Sequence, residues 1–179
     1  MCFDNYLYLC GIIQPLKQHV MKDKTLKNIR WCCYIALALC ALWGILYFSN
    51  IIRSLLGYDE WPLQRINWSE YRAYKIGLLT VYSVSIAVMI GICVKVALNT
   101  LKGLRENTVF PKSNVKLLFW FVLADFLYLL AFNNLRILWD SQRIFAIQHN
   151  NFVTPFFLLF FAFMYKIAAD AVEENNLTI

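Results

Sequence analysis

Asp125 stands nine residues beyond Lys116, inside an otherwise uncharged run, and is the residue here best placed to do chemistry. At 1.5 Å per helical residue it lies about 13 Å from that run's charged end. A carboxylate at such depth in a bilayer costs about 2.5–3.5 kcal/mol on insertion scales unless it is protonated, hydrated or paired. Asp125 is therefore expected to face other helices rather than lipid. Its expected neighbours are Tyr128 on its own face and Ser83 or Ser85 across on the preceding helix. Two roles fit: a proton or ligand site, or a neutral acid hydrogen-bonded between helices. The second is favoured, because no other intramembrane ionisable group accompanies Asp125 to make a relay.

Other reactive types do not form constellations. His19 and His149 fall on opposite sides of the membrane in the topology given below. There is no HExxH, no GxSxG and no phosphate-cradling glycine loop. The six cysteines include no CxxC and no Cys/His set at zinc spacing. Four of them lie within or beside apolar runs, where a thiol packs as a small apolar group. No catalytic residue, metal site or cofactor is expected, and the chain is read as not an enzyme.

The elements that position these residues are long apolar runs. Trp31 to Ile52 contains no charge, and about 20 apolar residues suffice to cross a hydrocarbon core about 30 Å thick. Charged residues are only 16% of the chain, against about 25% in soluble domains. Four spans are expected, at about 31–52, 76–94, 117–135 and 152–169. The fold class is thus all-α, a four-transmembrane-helix bundle forming a single membrane domain over 1–179. The first run, preceded by Lys17, Lys22, Lys24, Lys27 and Arg30, reads as a retained span rather than a cleaved signal.

Between the spans, local chemistry marks the boundaries. Residues 5–20 are too short to span and contain Pro15, so they suit an interfacial amphipathic piece. Asn67 with Glu70 resembles a capping box opening the second helix, which is expected to run on to about Leu104. ENTVFPKSN breaks the chain at Pro111, after which Ser113 or Asn114 can cap the third helix. Pro155 suits the start of the fourth helix, where a missing N–H matters least.

Basic residues set the orientation. Eleven Lys and Arg flank the spans in 1–30, 95–116 and the tail (Lys166 included), against six on the other side. Positive charge is retained in the cytoplasm, so both termini and the 95–116 linker are expected there. Small residues recur every four positions as Ala36, Cys40, Gly44 and as Ser83, Ala87, Gly91. The two stripes are expected to pack together, since small side chains let membrane helices approach closely.

The linker and tail carry a resemblance. Val109 and Phe110 in a basic linker, followed by Asn114, lead into the third span. The chain closes on Glu173, Glu174, Asn175, Asn176, Leu177, Thr178 and Ile179. In these features it resembles a family of small bacterial four-span membrane proteins described only as a domain of unknown function. Pro111, and Asn176 where an acid is frequent, depart from that pattern. Genes of the family often neighbour one for a small helix-turn-helix regulator. The resemblance therefore implies a role in membrane-linked transcriptional control, and no catalytic residues.

The resulting expectation is a non-enzymatic multi-pass protein of the bacterial cytoplasmic membrane that docks or sequesters a cytoplasmic transcriptional regulator. Phe110, Asn114, Glu173, Glu174, Asn175 and Leu177 are the candidate contacts. The alternative is a small transporter, channel or ligand sensor with a polar cavity around Asp125, Tyr128, Ser83 and Ser85. Expected partners are the lipid bilayer, the helix-turn-helix regulator and further copies of the chain. Direct nucleic-acid binding is not expected, because the net charge of +6 flanks apolar runs.

Overall fold

The computed structural model describes residues 4–58, 66, 68, 70–106, 108–139 and 145–177, with the side chains of 4–23, 55 and 175–177 outside that description. Its elements are α1 (Asp4–Leu55), α2 (Arg72–Arg105), α3 (Ser113–Asn133), a 3₁₀ turn (Leu135–Leu138) and α4 (Asn150–Leu177). Each of α1 to α4 is long and apolar enough to cross a membrane. The molecule is an all-α, four-transmembrane-helix bundle. The bundle has two ends: among the described residues, the linker end holds 106, 108–112 and the close of α4, and the loop end holds 56–58, 70–71, 134–139 and 145–149.

The helices stop where the sequence forces them to. α1 ends in a Schellman motif, in which Gly57 takes φ 80° and Tyr58 N donates to Arg53 O at 3.0 Å. The helix also runs through Pro15 without a break, so residues 5–20 continue α1. α2 begins at Arg72 after Tyr71, whose φ is 53°, with no side-chain cap. The expected capping box is thus absent: the helix starts past Glu70, and Asn67 lies outside the described residues. At its other end α2 runs to Arg105, as the sequence suggests.

Gly103 permits the turn that follows. A Cβ there would sit 2.6 Å from the backbone oxygen of Thr108 and 2.7 Å from Pro111 Cγ. The linker folds directly against α2 because that side chain is missing. α3 is then entered through Lys112, with no side-chain cap. The expected capping role of Asn114 is replaced by a buried one. α4 begins at Asn150, so Pro155 falls beyond the first turn and leaves Asn151 O without its helical donor.

The order of packing is α1 on α2, α2 on α3 and α3 on α4. α1 presents a seam of half-buried residues spaced three or four apart: Leu26, Ile29, Cys33, Leu37, Cys40, Gly44, Tyr47 and Ile51. That spacing is the coiled-coil period. Against it α2 sets Tyr82, 6.4 Å from Tyr47 between ring centroids, and Cys93, within hydrogen-bond reach of Cys40.

The expected small-on-small packing is therefore corrected. Ala36, Ala87 and Gly91 are exposed, and a Cβ added at Gly44 or Gly91 meets nothing within 4 Å. Between α2 and α3, Tyr82 stacks on Tyr128 at 5.6 Å. Between α3 and α4, Phe119 meets Phe163 edge-on at 5.2 Å and Phe126 meets Phe152 at 5.7 Å.

Candidate functional site at the linker end

Asn114 is the hub of the linker end. One residue into α3, it is 0% exposed. Its Oδ1 accepts from Asn99 Nδ2 at 2.9 Å, and its Nδ2 donates to Thr100 Oγ1 at 3.0 Å and Tyr165 OH at 3.1 Å. A longer contact, 3.4 Å, reaches Val96 O. Tyr165 OH in turn donates to Pro111 O at 3.4 Å. One amide thus ties α2, α3, α4 and the linker together. Each neutral hydrogen bond contributes about 0.5–1.5 kcal/mol net, and a stranded buried partner costs about 1–3 kcal/mol.

A second clasp lies outside this network, in water. Lys112 Nζ donates to Glu173 Oε2 and lies 3.8 Å from Asp170 Oδ1. The hydrogen bond donated to Glu173, and then that carboxylate's charge, raise the Lys112 amine above its ordinary value of 10.5, with Asp170 adding in the same direction. The pair is solvent-exposed and adds little stability, but it fixes which linker residue meets which tail residue. Phe110, 36% exposed, packs edge-on against Tyr165 at 5.4 Å.

Of the residues expected to meet a soluble partner, Phe110, Glu173 and Glu174 are at the surface. Asn114 is not: its amide is consumed inside the bundle, which removes it from any docking face. The side chains of Asn175 and Leu177 lie outside the described residues. Lys112, Asp170, Asn99, Thr100 and Tyr165 were not singled out from sequence. Their only signal is polarity near the ends of apolar runs, which solvation explains equally well.

Asp125 is 7% exposed, and its Oδ2 has no hydrogen-bond partner among the described residues. Tyr128 is in electrostatic reach of it. The Asn99–Asn114 and Tyr82–Tyr128 contacts set an antiparallel register that brings buried Ser85 to the depth of Asp125, with half-buried Ser83 about half a turn nearer the loop end. The group is enclosed by packing.

The main cleft lies elsewhere, between α1 and α4, which do not pack on each other. Its volume is about 790 Å³. Its walls are apolar, with Cys33 and Ala36 from α1, Cys93 from α2 and Phe161 from α4, and Phe110 and Tyr165 stand at the linker end. Asp125 does not line it.

At the loop end a second amide set does structural work. Asn134 Nδ2 donates to Leu130 O at 2.7 Å and Ala146 O at 2.9 Å, while its Oδ1 accepts from Ala146 N at 2.7 Å. Asn133 Nδ2 donates to Asn151 Oδ1, joining α3 to α4. These bonds hold the second loop in place.

This architecture defines a four-span helical membrane protein with an apolar cleft and a clasped linker end. The chain matches no family model, no curated protein and no solved structure.

Proposed function

We propose that this chain is a non-enzymatic multi-pass protein of a bacterial cytoplasmic membrane, and that its linker end engages a soluble cytoplasmic partner. A DNA-binding regulator of the helix-turn-helix class is the first candidate, following the resemblance in the linker and tail. The observation that carries this reading is the clasp of Lys112 to Asp170 and Glu173. It joins linker and tail into one continuous surface beside Phe110, carrying charges of both signs. A partner reading both segments at once would gain orientation as well as affinity from such charge-assisted contacts.

The test is co-purification of the solubilised protein with and without residues 171–179, together with the charge reversal Lys112→Glu. The docked partner is expected to be lost from both variants. An unchanged partner set removes the reading.

A ligand-sensor reading is favoured by the α1–α4 cleft, which is apolar rather than built around Asp125 as the sequence suggested. Its size falls within the range of small-molecule sites, about 300–1,000 Å³. Phe110 and Tyr165 line the cleft, and Tyr165 OH donates to Pro111 O beside Lys112, so an apolar ligand there would press on the segment that carries the clasp. Filling the cleft by Ala36→Trp should change partner recovery if this link operates. Recovery equal to that of the parent protein excludes it.

A further inference from the structure

On the opposite side of α4 from the main cleft, the α3–α4 seam carries a groove with a chemical gradient along it. At the linker end a pocket of about 600 Å³ is rimmed by Lys112 and Lys116 of α3's start and Lys166 of α4. The Asn114–Tyr165 hydrogen bond sets Lys166 at the depth of the first turn of α3, so the three amines share one level. Lys112 is engaged by Asp170 and Glu173, whereas Lys116 and Lys166 make no ion pair among the described residues. Two cations are thus left to meet an anion.

Below the amines the lining turns apolar at once. Phe119, Trp120 and Leu123 follow along the same face of α3, and Trp120 and Leu123 remain 52% and 45% exposed. Phe119 and Leu123 also line a second pocket, about 740 Å³, that continues towards Phe126 and Phe152. From Lys116 to Phe126 is ten residues, or about 15 Å. That is half of a hydrocarbon core about 30 Å thick, the depth of one leaflet.

We infer that this groove is a binding site for an anionic phospholipid. The headgroup phosphate sits between Lys116 and Lys166 with Lys112 at its edge, and an acyl chain lies along Phe119, Trp120 and Leu123. Charge complementarity at one end and an unbroken apolar floor at the other select this occupant over a soluble anion, which would leave the floor uncovered. The site shares Lys112 with the docking surface proposed above but does not rest on that proposal.

The experiment uses the full chain in phosphatidylcholine nanodiscs, with quenching of tryptophan fluorescence by lipids brominated on the acyl chain. The Trp120→Phe variant is subtracted to isolate the Trp120 signal. Brominated phosphatidylglycerol is expected to quench Trp120 at about thirtyfold lower mole fraction than brominated phosphatidylcholine, at about 1 kcal/mol for each of the two free cations. The double variant Lys116→Gln/Lys166→Gln should quench equally with both lipids. Lys102→Gln/Arg105→Gln, which alters cations at the same end outside the groove, should keep the preference. Equal quenching in the parent protein overturns the site. So does a preference that survives in the groove variant, or one that the control variant loses, since either result means general surface attraction.

Discussion

At Asn114 a single amide replaces what a helix cap would have done and does more. Its substitution by Ala leaves Asn99 Nδ2 without its acceptor and removes the donor to Thr100 Oγ1 and Tyr165 OH, which keep their own bonds to Val96 O and Pro111 O. A loss of about 1–3 kcal/mol is expected, read as a lowered unfolding midpoint of the detergent-solubilised protein. Asp125 is the contrast. It sits in a packed position with an oxygen that has no hydrogen-bond partner among the described residues, so Asp125→Asn should shift that midpoint by no more than about 1 kcal/mol from the parent. A large drop would mean the carboxyl holds the bundle together.

Lys112 gives a pH prediction at the same scale. Its folded value is raised above 10.5, so the clasp is fully in place below the unfolded lysine value and is lost as pH rises through the folded one. A fluorophore–quencher pair on Thr108 and Val172 should therefore report a constant separation from neutral pH upward and open only above 10.5. Opening near neutrality would contradict the assignment.

Among the elements, the α2–α3 turn is the most constrained. Gly103→Ala places a methyl against the Thr108 carbonyl oxygen, which is backbone and yields only if the whole turn moves. Helix propensity alone would make this change favourable by about 1 kcal/mol. The clash is expected to reverse the sign, giving a net destabilisation of about 1–3 kcal/mol in a denaturant or thermal melt. Gly44→Ala and Gly91→Ala, with open space at both positions, should be neutral or slightly stabilising in the same measurement. If Gly91→Ala disrupts the bundle instead, α1 and α2 pack by their small residues after all.

For the molecule as a whole, the proposed cytoplasmic placement of the linker end rests on the positive charge outside the spans. A reporter fused after Ile179 should then be active only in its cytoplasmic form. An external location would place the clasp beyond reach of any cytoplasmic partner while leaving the lipid groove intact. The bundle is also open rather than closed, because among the described residues α1 packs on α2 alone. Labelling of Cys32 and Cys40 by a membrane-permeant thiol reagent should differ accordingly: Cys32 is exposed, whereas Cys40 is half-covered by α2.

Hydropathy and helix length are properties of a stretch by itself. For that reason the four spans, the end of α2 near Leu104, the break at Pro111 and the all-α class could be read from residue order alone. Whether a polar side chain caps its own helix or reaches another depends on which elements come to lie beside it. Nothing local distinguishes Asn114 as a cap from Asn114 as a hub. The same holds for Gly91 facing open space, for Lys112 meeting Asp170 and Glu173 across 58 or more residues, and for Lys166 reaching the level of Lys116. Packing between helices made those choices, because in an apolar solvent every amide and charge must find its partner on a neighbouring helix or in the water at its end.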